Sequence, residues 1–202
     1  SDVYKRQILN KAGKSSHAMT VGTFHSFCYQ LLRDFSAEKL PALLEESEAI
    51  HMLLKRFDDL GPFESDEFPL NPQRAVIESF IPFCNRSRDE LLETEKQKTP
   101  GIIEKEFPPE TVAQLNDLKR IFPLFQQWKQ DIKVVDYGDM ILQAYNLLKR
   151  NNTVLRAVQE KYQHVIIDEF QDNNFALNEI IGLIAQNHHQ ITVVGDEDQT
   201  IY

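Results

Sequence analysis

The chain holds only two cysteines, Cys28 and Cys84. They are too few and too far apart for a zinc cluster or a disulfide framework. Both read as reduced thiols in or near a core, the usual state in a cytosolic protein. No apolar run approaches the ~20 residues needed to span a bilayer. The start, Ser1-Asp2-Val3-Tyr4-Lys5-Arg6-Gln7, has no initiator Met and no apolar secretion segment. Low-complexity tracts are absent. Excess positive charge is absent too: 31 acids face 22 Lys and Arg, for a net charge of −9. That balance argues against a broadly phosphate-binding surface but not against a local basic groove. The 202 residues are 42% hydrophobic and 26% charged. This is the composition of one globular domain, or of one domain with a large insertion. Both ends read as cut, so the expectation is a piece of a larger protein.

Against these absences stands one dense stretch, Val165-Ile166-Ile167-Asp168-Glu169-Phe170-Gln171-Asp172. It reads as a buried β-run ending in two adjacent acids, followed by a glutamine and a third acid. One carboxylate at a strand end can hold Mg²⁺ and a second can polarise water, the combination that nucleoside triphosphate hydrolysis needs. The pattern recurs in Ile191-Thr192-Val193-Val194-Gly195-Asp196-Glu197-Asp198-Gln199. Two such runs with a helix between them predict neighbouring parallel strands. Their polar ends would share the crevice where open α/β sheets bind ligands.

Elsewhere the periodicity is helical. Thr20 to Phe24 reads as a short β-like segment. A helix is predicted from about His25 to Phe35, with Phe24, Phe27, Cys28, Leu31, Leu32 and Phe35 at helical spacing. Ser47 is the expected N-cap of a helix over 48–57, ended by Gly61-Pro62. Residues 61–72 read as loop, and Pro72 starts a helix to about Phe83. Residues 95–109 read as loop or frayed helix. A longer helix is expected over 110–129, with Pro123 as a candidate kink. Asp136 begins another, and 153–161 a further one. The middle, 40–130, is thus helical, with sheet elements towards both ends of the sequence. This pattern predicts a helical subdomain inserted into an α/β domain.

Three blocks resemble the UvrD/Rep/PcrA family of superfamily 1 DNA helicases. Thr23-Phe24-His25-Ser26-Phe27 is similar to the family's TFHSF block, and Asp168-Glu169-Phe170-Gln171-Asp172 to its form of the Walker B box. Gly195 to Tyr202 is similar to its GD-x-DQ-S-IY block, with Thr200 at the usual serine. Val135-Asp136-Tyr137-Gly138-Asp139-Met140 is a weaker fourth likeness, to a VDFxDL helix start. The resemblance implies a parallel-sheet, RecA-like P-loop NTPase core with a large α-helical insertion. Residues 1–39 would be the first part of motor domain 1A, 40–130 a 1B-like insertion, and 131–202 the rest of 1A.

The resemblance also implies the roles. ATP and Mg²⁺ are the cofactors. Asp168 holds Mg²⁺, Glu169 orients and deprotonates the attacking water, and Gln199 senses the γ-phosphate. Gln171 and Asp172 couple that site to neighbouring loops, with Gly195 and Asp196 beside the nucleotide; helix capping by Asp172 is a compatible alternative. Thr23, Phe24, His25, Ser26 and Tyr202 line a path for single-stranded DNA, by phosphate contacts and base stacking. Phe27 reads instead as core. Arg86 and Arg88 read as a solvated helix end rather than phosphate ligands. His188-His189 reads as a solvated loop rather than a metal site.

The sequence departs from the family where phosphates would be cradled. It contains no G-x-x-x-x-G-K-S/T loop. Gly13-Lys14-Ser15 lacks both the earlier glycine and a preceding buried strand. A second motor domain is also missing, so the ATPase is expected of the full-length protein and not of this piece alone. Three alternatives stay open: the helicase arm of a RecB- or AddA-like helicase–nuclease, a nonhydrolytic DNA-binding module, and an acidic interaction domain.

Overall fold

The computed structural model describes residues 19–36, 40–92 and 107–196. Helix α1 spans Phe24–Phe35 and buries Cys28, Leu31 and Leu32. The predicted β-like segment before it is not a strand. Thr23 is the N-cap, and its Oγ1 accepts the Ser26 N–H at 3.2 Å. A threonine hydroxyl that satisfies a free helical N–H draws its own residue into the helix start.

Strand β1 (Ala42–Leu43) is followed by α2 (Glu46–Lys55), which starts ahead of the expected Ser47 cap. Glu45 caps α2, and the Glu48 carboxylate accepts the Glu45 N–H at 2.9 Å, as in a capping box. A 3₁₀ turn over Phe57–Leu60 then leads to Gly61. The 61–72 stretch contains a short helix, α3 (Glu67–Leu70). Buried Asp117 organises its approach by accepting the Glu64 and Ser65 N–H groups. Helix α4 (Pro72–Arg74) carries Pro72 in its first turn, where a missing N–H costs nothing. It runs through a π turn over Ala75–Phe80 into α5 (Ile81–Asp89). The wider turn accommodates Pro82, whose ring would press on the carbonyl four residues earlier.

Helix α6 (Pro109–Asp131) continues through Pro123. Strand β2 (Val134–Val135), α7 (Tyr137–Arg150) and α8 (Asn152–Lys161) follow. Then come β3 (Val165–Ile167), a 3₁₀ turn over Phe170–Asp172, α9 (Phe175–Ala185) and β4 (Ile191–Val193). The result is a mixed helix and sheet fold with two small parallel sheets among the described residues. In one, Ala42 pairs with Val134 and Leu43 with Val135. In the other, Val165, Ile166 and Ile167 pair with Ile191, Thr192 and Val193, the expected parallel register. The expected burial is only partly present. Ile167 is buried, whereas Ile166, Ile191, Val193 and Val194 are exposed.

Apolar side chains gather into two cores. One joins α1, α7, α8 and α9 around Leu31, Tyr145, Leu148 and Ile180. Phe27 packs against this core, edge-on to Tyr162, as its place on the apolar face predicted. The other joins α2, the π turn, α5 and α6 around Leu53, Phe80, Ile121 and Phe125. Cys28 lies in the first and Cys84 in the second, both as free thiols, and burial pushes each up to about 12.

Charge links the two cores. Arg88 (α5) reaches Asp136 at 2.6 Å and Asp139 at 2.9 Å; Lys129 (α6) reaches the same two carboxylates at 2.7 and 2.6 Å. The side chains of Arg88 and Lys129 are only 3% and 1% exposed. Arg88 is therefore not part of a solvated helix end. A Cβ at Gly138 would sit 2.6 Å from Arg88 Nε, so glycine is what allows the guanidinium its approach. Burial opposes the charged form of Asp136, yet Arg88 and Lys129 outweigh it and hold the carboxyl below its ordinary 3.8.

Breaking this cluster should be costly. Arg88→Ala is expected to lose about 3–5 kcal/mol, because it strands buried carboxylates. Arg86→Ala, which removes an exposed pair with Glu90, should lose less than about 1 kcal/mol. Urea unfolding followed by circular dichroism measures both. Asp136 has the lower pKa in the folded state, so its contribution is full above 3.8 and is lost as pH falls through the folded value. The Arg88→Ala deficit should shrink over that acidic window.

Candidate functional site

The parallel pairing of β3 and β4 brings two polar segments to one edge of the sheet. The backbone weaves them together: the Val194 N–H donates to Ile167 O at 2.8 Å, and the Phe170 N–H to Val194 O at 3.0 Å. Asp168 and Glu169 are exposed at the end of β3. Glu169 has φ 54°, ψ 46°, a left-handed conformation uncommon for a residue with a side chain. It turns the chain sharply out of the strand and into the 3₁₀ turn. Asp168 Oδ1 accepts the Glu169 N–H at 3.2 Å.

Gln171 ties the two strand ends together. Its Nε2 donates to Glu169 Oε2 at 2.6 Å, and its Oε1 accepts the Asp196 N–H at 3.2 Å. Gly195 is what lets the amide in, since a Cβ there would stand 2.5 Å from Gln171 Oε1. Asp168, Glu169, Gln171, Gly195 and Asp196 thus form one cluster. Asp172 lies in the same turn but does not cap the next helix. Asn174 does, its Oδ1 accepting the Leu177 N–H at 2.9 Å. Gln199 lies outside the described residues.

The donor set suits Mg²⁺. It offers hard carboxylate oxygens at an exposed edge, and Mg²⁺ usually takes one or two carboxylates together with water and substrate phosphates. Among the described residues no group of three or more His, Cys, Asp or Glu side chains converges into an all-protein metal cage. His188 is half-buried, where a solvated loop was expected. Its Nδ1 accepts the Gln190 N–H at 3.0 Å, while Nε2 is buried without a partner.

A second candidate surface lies at the start of α1. His25 is exposed, and its ring stands edge-on to Tyr137 with centroids 5.1 Å apart. The Ser26 Oγ–H donates to Thr23 O at 2.7 Å. Phe24 is half-buried and packs against the first core. Tyr202 lies outside the described residues. Two exposed aromatics join this surface that the sequence reading missed. Tyr29, 46% exposed, is one helical turn beyond His25, and Tyr137, 40% exposed, opens α7. For Tyr29 the signal was an aromatic ring off the apolar stripe of an amphipathic helix; Tyr137 continues the stripe of α7 and gave no such signal.

The family described as UvrD/REP helicase N-terminal domain matches residues 3–202. The chain belongs to that family. UvrD/REP relatives include DNA helicase II of Haemophilus influenzae, 29% identical over 91% of this chain. The probable DNA helicase II homolog of Mycoplasma pneumoniae is 30% identical over 98% of it. The ATP-dependent DNA helicase PcrA of Staphylococcus aureus is 26% identical over 98%. The chain spans 23%, 27% and 25% of the length of these three relatives, so it corresponds to about a quarter of a UvrD/REP helicase. Among the described residues no helix is long and apolar enough to cross a membrane.

The Gln171 bridge generates a test. Gln171→Ala and Gly195→Ala should each lower stability by about 1 kcal/mol and speed amide exchange at Asp196. The double variant should be little worse than either single one, because both remove the same contact. Defects that add in full would refute the bridge.

Proposed function

We propose that the protein to which this chain belongs is an ATP-dependent DNA helicase. In it the cluster at the end of β3 and β4 hydrolyses ATP, and the α1 surface contacts single-stranded DNA. One observation carries this reading: parallel pairing places Asp168 and Glu169 beside Gly195 and Asp196, with Gln171 bridging them. When bound, Mg²⁺ neutralises phosphate charge and ATP supplies the bond that is broken. Asp168 holds the metal, directly or through water. Glu169 accepts the proton of the attacking water, and Gln171 fixes the Glu169 carboxylate relative to the β4 end. Gln199 follows on from β4 as the γ-phosphate sensor.

Thr23 offers its hydroxyl proton to DNA phosphates, Ser26 does so on releasing Thr23 O, and His25, Tyr29 and Tyr137 offer rings to bases. Tyr202 adds a further ring. Residues 1–39 and 131–202 are parts of a RecA-like P-loop motor domain, and 40–130 is a helical insertion that engages the single-strand/duplex junction. The two cores follow that division in part: Leu91 lies in the first core and Val134 packs against the second. Translocation runs 3′ to 5′ in the cytoplasm, and the rest of the protein supplies the phosphate-binding loop and a second motor domain.

Glu169→Gln in the full-length protein is the decisive variant. Loss of a general base predicts ATP hydrolysis reduced by about 10²–10⁴-fold, with ATP binding retained. Equal hydrolysis by wild type and variant, with and without single-stranded DNA, would remove Glu169 from the chemistry. No hydrolysis by either protein would favour a nonhydrolytic DNA-binding module.

A further inference from the structure

The two candidate surfaces share a neighbour. Helix α5 ends in Arg88-Asp89, and these two side chains go to different elements. Arg88 holds Asp136 and Asp139 at the start of α7. The residue after Asp136 is Tyr137, whose ring meets His25. Asp89 turns the other way and accepts a hydrogen bond from Asn174 Nδ2 at 2.6 Å. Asn174 is the N-cap of α9, two residues past Asp172, and its Oδ1 is engaged by the Leu177 N–H. Its amide therefore has one orientation, with oxygen on the helix and nitrogen on Asp89. Burial, helped by Glu90, holds the Asp89 carboxyl above its ordinary value against the pull of Arg88, Arg86 and His25.

We propose that Asp89 and Asn174 form a positioning pair through which α5 couples the acid loop after β3 to the surface carrying His25 and Tyr137. Neither residue belongs to the proposed nucleotide or DNA surface. Asn174 holds the exit of the loop that begins at Asp168. Asp89, fixed by the helix that anchors Tyr137, holds Asn174. A shift of His25 and Tyr137 on DNA therefore reaches the acids through a few rigid contacts. This inference rests on the proposed helicase function.

The test is a donor–acceptor exchange in the full-length protein, read as steady-state ATPase with and without oligothymidylate. Asn174→Asp keeps an N-cap oxygen but sets carboxylate against carboxylate. It should lower DNA stimulation by about five- to tenfold, with basal kcat and the KM for ATP close to wild type. Asp89→Asn keeps an acceptor oxygen and should behave nearly as wild type. The double variant Asp89→Asn/Asn174→Asp reverses the direction of the hydrogen bond and should restore stimulation to within about twofold of wild type, because its two residues are directly coupled.

Asn174→Asp stimulated like wild type overturns the inference. So does a double variant no better than the single one, or a parallel fall of basal and stimulated rates, which marks a purely structural brace. A wild-type protein whose hydrolysis ignores DNA overturns the helicase reading, and this inference with it.

Discussion

Asp136 and Asp139 stand one turn apart at the start of α7, and the joining of the two cores depends on what neutralises them. Two carboxylates this close repel unless cations are brought to both. Arg88 and Lys129 come from different helices of the second core, and each bridges both acids. A buried group of this kind contributes little to stability compared with apolar packing, yet it tolerates few alternative arrangements. Its value here is geometric. It sets the register of α5 and α6 against α7, and so fixes Tyr137 beside His25.

The same logic, local geometry fixed by an unusual residue, recurs at the edge of the small sheet. Glu169 takes a left-handed backbone to leave β3, and Gly195 gives up a side chain so that Gln171 can enter. Neither feature helps a strand or a helix form. Both make sense where a site requires a carboxylate held at a fixed place.

Much of this was legible in the sequence, wherever the information was local. Apolar spacing marked α1, and the helix start at Asp136 was visible in the Val135–Met140 block. The parallel pairing of β3 and β4 followed from two similar runs separated by a helix. Part of what was not legible depended on distant partners, and part on local turn and cap geometry. Arg88 looked solvated because the acids that bury it lie 48 and 51 residues away. Asp172 resembled a helix cap, but the 3₁₀ turn moves the start of α9 on to Asn174. Thr20 to Phe24 read as β-like, whereas the Thr23 hydroxyl turns to the Ser26 N–H and starts α1. At the candidate site, the acids could be read directly, whereas the Gln171 bridge required the register of two strands.

The exposed side chains of β3 and β4 carry one more consequence. Ile166, Ile191, Val193 and Val194 are open to solvent on a two-stranded sheet. Such a surface adheres to others of its kind. Handled as an isolated polypeptide, the chain would therefore tend to cluster through these β-branched residues. Its solubility in that form depends on charge repulsion from its surplus of acids, and so falls as salt is added or as the pH approaches 5.2.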